Sequence, residues 1–354
     1  MILHRYIIKN VLLATLFVVL VMLGLMIAIN LLGELRDIGI GDYGFWQAVE
    51  HVFLQLPYHL YNFFPMLVLL GGLMGLGALA SHQELVVMRT AGFSVIRIMI
   101  AVMIAALILI TIATVIGEAI APSANFFANK RKDNQQNAGQ AVATAAGVWI
   151  HQGNNFLHIR RVMGAKYLEG ITRYEFNDSH QLLAAYYANS AKYENQQWVL
   201  QDLVKTTFSN NQTSRMQYPE SLWDLKLNPS LINIGLIQPE EMTLPHLVEH
   251  SERLVQNGLQ SNRFELEFWK RVLQPLATLV MILLAVPLIF AAPRSASMGW
   301  RLLLGLIVGL VFYILNALLG QISVVYQVSP FLAAILPTIL FAFVGFLVLK
   351  QKNL

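Results

Sequence analysis

The chain has 354 residues, 56% of them hydrophobic and only 12% charged, with a formal net charge of +4. This excludes an ordinary soluble globular protein, and so mild a positive balance gives no reason to expect nucleic acid as a partner. There is no cysteine, which excludes disulfides but does not identify a compartment.

The first apolar run, VLLATLFVVLVMLGLMIAINLL (11–32), exceeds the roughly 20 residues that cross a bilayer as helix. It is too long for a signal-peptide core and lacks a small-residue cleavage site, so it reads as a retained span. Further runs at 57–80, 95–120, 272–291, 302–322 and 329–349 bring the expected spans to six. Pro57, Pro65, Pro275, Pro287 and Pro337 lie in or beside these runs, where neighbouring helices and water satisfy the freed carbonyls. Arg5 and Lys9 precede the first span, and Arg89 and Arg97 flank the connection between the second and third. Arg294 and Arg301 bracket the connection between the fourth and fifth, and Lys350 and Lys352 follow the sixth. The opposite short loops carry only Arg36. Positive charge stays in the cytoplasm, which puts both termini and residues 81–94 there.

The stretch GGLMGLGALAS (71–81) spaces its glycines like a small-residue packing face, with a hinge as the alternative. SHQELVVMRTAGFS (81–94) follows, a short helix closed at Gly92 whose Leu85, Val86 and Met88 are apolar and whose Glu84 and Arg89 are charged. A plain connector would need only a few polar residues. Glu118, at the outer end of the third span, has either a role or ordinary interfacial solvation.

From Pro122 to Arg271 no run is long enough to span, and the texture is β. GVWIHQGNNFLHIRRV (147–162) reads as two strands about a Gly-Asn-Asn turn, and ITRYEF (171–176) runs into the turn residues Asn177-Asp178. In WVLQDLVKTTF (198–208) one period-two set holds Trp198, Leu200, Val204 and Phe208. Short strands at this spacing predict a small antiparallel sandwich or barrel on the outer side. Residues 244–271 are helical again and lead back to the bilayer.

The chemistry-bearing motifs are few. No lysine follows a glycine, so no phosphate-binding loop exists, and G-x-S-x-G is absent. HLVEH (246–250) has the spacing of an inverted zinc-protease helix, with His246, Glu249 and His250. Leu244, Leu247, Val248 and Leu254 point instead to a packed surface helix with exposed histidines. Near the outer membrane face Arg36 stands with Glu34 and Asp37, and Lys130, Arg131 and Lys132 form a second basic cluster. Arg36 either reads an anionic phosphate or pairs with Glu34 or Asp37. Two basic patches at one face favour an anionic lipid ligand.

The blocks YIIKN, NFFPMLVLLGGLMGLGALASHQELVVMRTAGFS (62–94), GEAIAP (117–122), GVWIHQGNNFLHI (147–159), FWKRVLQPLA (268–277), PRSASMG (293–299) and GLVFYILNALLG (309–320) carry a resemblance along the whole chain. In order and wording they resemble the LptF/LptG permeases, with FFPM and ELVVM nearer the G-type branch. The resemblance implies an α-helical polytopic membrane protein with six transmembrane helices and an inserted all-β periplasmic domain, a β-jellyroll. The corresponding domains are 1–121 for transmembrane helices 1–3 with a coupling helix at 81–94, 122–243 for the β-jellyroll, 244–271 for a linker helix, and 272–354 for helices 4–6. It implies a multi-pass protein of the bacterial inner membrane that extracts lipopolysaccharide and passes it toward the outer membrane. The implied partners are an LptF-type permease subunit, two copies of the LptB ATPase, LptC, lipopolysaccharide and membrane lipid. The chain itself is then non-catalytic, and no cofactor is expected on it.

By the same resemblance 81–94 is the helix that docks on the ATPase, with Glu84, Leu85, Met88, Arg89, Gly92 and Phe93 as coupling residues. Lipid phosphates are met by Arg36 and Lys132, which fall on the family's basic positions, with Lys130 and Arg131 as possible compensators. Relatives can carry basic residues where this chain has Asn30, Asp37 and Asn129. The apolar cavity wall is expected to include Phe64, Leu310 and Phe312. Two other readings stay open: a permease that relays ATPase motion to an external partner, and a membrane metalloprotease built on HLVEH.

Overall fold

A computed structural model describes residues 2–136, 148–152, 154–163, 167–177, 181–194, 197–209, 212–223, 238–256, 260–291 and 297–351. Helix α1 (Ile2–Glu34) is followed by α2 (Phe45–Ser81), the short α3 (Glu84–Thr90) and α4 (Val95–Val115). A π-helical turn, Ile116–Ile120, joins α4 to α5 (Ala121–Gln136). After the strands come a 3-10 turn (Pro239–Glu241), α6 (Leu244–Gln256), α7 (Asn262–Ala291), α8 (Met298–Tyr326) and α9 (Pro330–Gln351). Among the described residues six helical stretches are long and apolar enough to cross a membrane, as expected.

These helices overrun the apolar runs that announced them. The stretch Val95–Gln136 has 42 residues, about 63 Å of helix against a hydrocarbon core of roughly 30 Å. Pro122 does not end it. An α-helix there would drive the proline ring against the Glu118 carbonyl, and the π turn falls at that point. α5 therefore continues the third span as a polar rod above the membrane. Likewise α7 begins at Asn262, so the return linker is one short helix, α6, followed by the extended end of the fourth span.

α2 lies at the centre, packed against α1, α5, α7 and α8. The Gly71–Ser81 stretch is a packing face. A Cβ on Gly71 would lie 2.5 Å from the Thr15 Cα, and one on Gly75 would lie 2.9 Å from the Val11 Cα. The i,i+4 glycines thus let α1 touch the α2 backbone, as small residues do between membrane helices. The variant Gly71→Val is expected to lower the melting temperature and the yield of folded chain, because overpacking of this kind costs about 1–3 kcal/mol. Gly33→Val, at a position with nothing within 4 Å, is expected to leave both unchanged.

Among the described residues the inserted domain is one antiparallel sheet of six strands in the order β1-β2-β3-β4-β5-β6. They are β1 (Val148–Gln152), β2 (Asn155–Met163), β3 (Tyr167–Phe176), β4 (Leu182–Glu194), β5 (Gln197–Ser209) and β6 (Gln212–Leu222). The strands expected about the Gly-Asn-Asn turn pair as a hairpin, as do those on either side of the turn expected after Phe176. The all-β domain is thus as expected, and its described strands form a single up-and-down sheet.

One expected alternation fails. Trp198 and Leu200 are buried, but the next buried position on β5 is Leu203, while Phe208 is exposed. Asp202 sits between them at φ 52°, in the left-handed region where Asp is more at home than most residues. Gly170 occupies the same region at φ 66° on β3, and the row Gly170, Asn189, Asp202 is where pairing is interrupted. Across this row the inward-facing set changes phase. Leu168, Ala191 and Leu200 on one side and Ile171, Ala188 and Leu203 on the other enter one core.

Candidate functional site

α3 and the sheet lie at opposite ends of the helices. His4, near the start of α1, packs edge-on against Phe93 at 5.0 Å, so the N-terminus is at the α3 end. Arg301, buried at the start of α8, donates to the Gly77 carbonyl at 3.2 Å and lies 3.4 Å from the Ser81 hydroxyl, tying α8 to the end of α2. Arg294 and Lys352, also expected at this end, lie outside the described residues.

The short helix α3 is held by its own chain. Gln83 enters it at φ 61°, and Gly92 leaves at φ 87°, a conformation a side chain resists. Leu85, Met88 and Phe93 are buried in the same core as α1, α4 and α7, so these coupling candidates anchor the helix rather than present it. Arg89 lies 5.6 Å from the Phe290 ring centroid, a cation–π contact that turns it away from Glu84. Glu84 has no ion pair among the described residues. Its position in the first turn suits the helix dipole and leaves its charge available. The outward face holds two residues that the sequence reading did not select, Val86 and Val87, 59% and 64% exposed. Leu85 and Met88 being inward, the i,i+3 spacing already implies that 86 and 87 face out.

At the other end the basic candidates separate into held and free. The Lys132 ammonium donates to both Glu34 oxygens at 2.7 and 2.9 Å and sits 2.6 Å from the Asp37 carboxylate. Tyr43 donates to Glu34 at 2.8 Å, and the His51 ring reaches Glu34 at 3.5 Å and the Ala128 carbonyl at 3.1 Å. The Lys132 hydrogen bond holds the Asp37 carboxyl below the usual carboxylate range, and burial followed by Glu34 pushes the Tyr43 phenol up. Lys132 therefore closes α5 onto the α1–α2 turn. Arg131 pairs with Glu50. Because Lys132 has taken both acids, Arg36 is exposed and has no ion-pair partner among the described residues. Lys130 lies 5.5 Å from the Phe126 ring centroid. Asn129 accepts from Gln55 and donates to Glu241 at 2.6 Å, where burial pushes the Glu241 carboxyl up.

Glu118 has a definite structural position. Its carboxylate accepts the Leu244 backbone N–H at 3.3 Å, at the start of α6, and lies 4.0 Å from Arg271. Arg271, almost fully buried, donates to the carbonyls of Met242 at 2.6 Å and Pro239 at 3.1 Å and to Glu267 at 2.9 Å. The π turn, the linker and α7 thus meet at one guanidinium, a point the spacing of charges in the chain did not reveal.

The apolar candidates divide as well. Phe64 and Phe312 belong to the helical core, Phe312 edge-on against Phe341 at 5.2 Å, whereas Leu310 is exposed. The sheet has an open groove of about 300 Å³, floored by Ile171, Leu203 and Trp223 and flanked by Arg173 and Lys205. In HLVEH, Glu249 pairs with Arg253, and His246 is exposed. His250, expected on the surface, is instead buried against Phe264 at 4.4 Å, because α6 packs on α7. Burial pushes its imidazole pKa down.

Six helices long and apolar enough to span, an all-β insertion at one end and a seated short helix at the other define a multi-pass membrane protein with elements exposed at both ends of its helices. The chain matches the family described as lipopolysaccharide export system permease LptF/LptG over residues 5–351, and it belongs to that family. It is 35% identical over 353 residues to the lipopolysaccharide export system permease protein LptG of Haemophilus influenzae, covering 99% of each chain. Against the protein of that name in Escherichia coli K12 it is 32% identical over 355 residues, again with 99% of each covered. It is accordingly a permease subunit of lipopolysaccharide export.

Proposed function

We propose that this chain is the G-type permease of an inner-membrane complex that extracts lipopolysaccharide and hands it to the periplasmic side. Both termini and α3 are cytoplasmic, and the sheet is periplasmic. An LptF-type permease completes the membrane part, a pair of LptB ATPases supplies the energy, and LptC joins it. ATP hydrolysis belongs to the separate ATPase, docked on Glu84, Val86 and Val87. On the outer side Arg36 and Lys130 meet the lipid phosphates, and Leu310 contributes to the apolar wall.

The observation that carries this reading is the seating of α3. A seven-residue helix with a buried inner face and two bare valines outward transmits a push that a flexible loop would absorb. Purification of a tagged chain tests it: a second six-span permease and a soluble ATPase are expected to co-purify, and ATP is expected to drive lipopolysaccharide release from proteoliposomes. Recovery of the chain alone from native membranes would remove the reading. Orientation is tested with single cysteines. Ser81→Cys and Asn177→Cys are expected to label from opposite sides, and labelling of both by one impermeant reagent would overturn the topology.

A further inference from the structure

A second cavity, of about 240 Å³, lies within this one subunit between α2, α7, α8 and α9. Chain direction orders its lining. Its deep end is apolar, with Met66 of α2, Ala277 of α7 and Phe312 of α8. Phe63 and Tyr313, stacked at 4.6 Å, form one wall. The end nearest the inserted domain carries Glu240, Glu267 and Lys270.

Three features of this cavity are unexplained by packing alone. Lys270 has no hydrogen-bond or ion-pair partner among the described residues, although Glu267 lies one turn away and is taken by Arg271. Gly320 faces it: a Cβ there would stand 3.1 Å from the Lys270 Nζ, so the glycine leaves room for the ammonium. Asn316 lines the cavity with its Oδ1 buried and without a hydrogen-bond partner, which costs free energy unless a ligand or water supplies a donor. Glu240 likewise keeps one buried oxygen without a hydrogen bond, with Arg263 at 3.7 Å.

We propose that this cavity is a binding site for one zwitterionic membrane phospholipid, phosphatidylethanolamine in chemical class, with an acyl chain inserted between the helices. Lys270 meets the phosphate. Glu240 and the free Asn316 oxygen accept from the ammonium or the glycerol region. An apolar slot under a mouth of mixed charge fits a headgroup carrying both signs. A multiply anionic glycolipid finds one unpaired cation there, Lys270, the carboxylates being held by Arg271 and Arg263, and a cavity this size has no room for several chains. The site is separate from the surface on which Arg36 and Lys130 stand. Lipid retention is measured at equilibrium without ATP or export, so it succeeds or fails independently of the export reading.

The test uses the intact complex purified in mild detergent, with native mass spectrometry and lipid extraction after exchange against phosphatidylethanolamine, phosphatidylglycerol or lipopolysaccharide. The unaltered chain is expected to retain one phosphatidylethanolamine. Ala334→Phe, which fills the slot from α9, and Lys270→Glu, which repels the phosphate, are each expected to reduce retention at least tenfold. Lys270→Glu lies at the mouth, and an unchanged melting temperature shows that its loss is of the lipid and not the fold. It decides the matter even where Ala334→Phe does not assemble. Equal retention in all three proteins overturns the proposal, as does phosphatidylglycerol or lipopolysaccharide being held in preference with the same sensitivity to the variants.

Discussion

The double variant Val86→Asp, Val87→Asp is expected to release the ATPase from the complex while leaving the chain folded and inserted. Both side chains point away from the protein, so their replacement removes nothing from its core. In a docked complex each valine, 59% and 64% exposed, loses water-exposed apolar area worth about 1–2 kcal/mol when covered. Loss of both weakens docking by roughly two orders of magnitude. Introduced carboxylates add a desolvation cost on the partner's surface. Glu84→Lys acts on the same contact through charge. Truncating one member of a buried ion pair across an interface costs about 2–5 kcal/mol, and reversal adds repulsion. Glu84→Gln is expected to be milder. None of these changes disturbs insertion: Glu84→Lys adds positive charge on the side where α3 is expected to lie, and acidic residues contribute little to orientation. A pull-down of the ATPase with each variant, beside an insertion assay, measures the effect. Full ATPase recovery with both Val86→Asp, Val87→Asp and Glu84→Lys would take the docking role away from α3. Leu85→Asp serves as the contrasting variant: this residue is buried, so loss of folded chain is expected.

Lys132→Glu and Arg36→Glu are expected to fail in different ways. Lys132 is held between Glu34 and Asp37 with its side chain only 19% exposed. Glutamate there gathers three carboxylates where one ammonium had bridged two. Breaking a fully buried pair costs about 3–5 kcal/mol, and partial exposure moves this site toward or below the lower figure. The expected result is a lower melting temperature and separation of α5 from the α1–α2 turn, with lipid transfer lost as a consequence. Lys132→Met, which keeps the aliphatic stem but takes the ammonium away from Glu34 and Asp37, is expected to be destabilised in the same direction but less. Arg36→Glu should leave stability within about 0.5 kcal/mol, as for other exposed positions, yet lower photo-crosslinking of lipopolysaccharide. Arg36→Gln retains donors for a phosphate and should fall between. If Arg36→Glu cross-links lipid as well as the unaltered chain does, phosphate recognition does not reside there. If Lys132→Glu melts unchanged, the role of Lys132 in closing the outer end is wrong.

Much of the architecture was legible because hydrophobic runs, flanking charge and turn residues are local signals. Six apolar runs in a chain with 12% charged residues require spanning helices, since only a hydrogen-bonded helix or closed barrel satisfies its backbone in lipid. The Gly-Asn-Asn turn and the strands about it were likewise readable, as were α3 and its closing Gly92. Helix ends were not. Apolar runs report the bilayer, whereas α5 extends through polar sequence because it packs on α2, and the π turn absorbs Pro122. The β5 alternation was misread at Asp202 because one left-handed residue changes which face follows, and no period-two rule anticipates it.

The sequence by itself determined that the chain crosses a membrane six times, carries an all-β insertion and has no nucleotide-binding loop of its own. Each of these rests on residue types and spacing within a single segment. Only the tertiary structure decided which charges remain available. Lys132 is distant in the chain from Glu34 and Asp37, and their meeting ties an expected phosphate ligand to two acids while leaving Arg36 without an ion-pair partner among the described residues. Leu85 and Met88 became anchors and Val86 and Val87 the outward face only once α3 was seated against the helical core. The physical reason is common to both. A charge or an apolar side chain is available for a partner only when its own fold has not already used it, and that depends on neighbours far away in sequence.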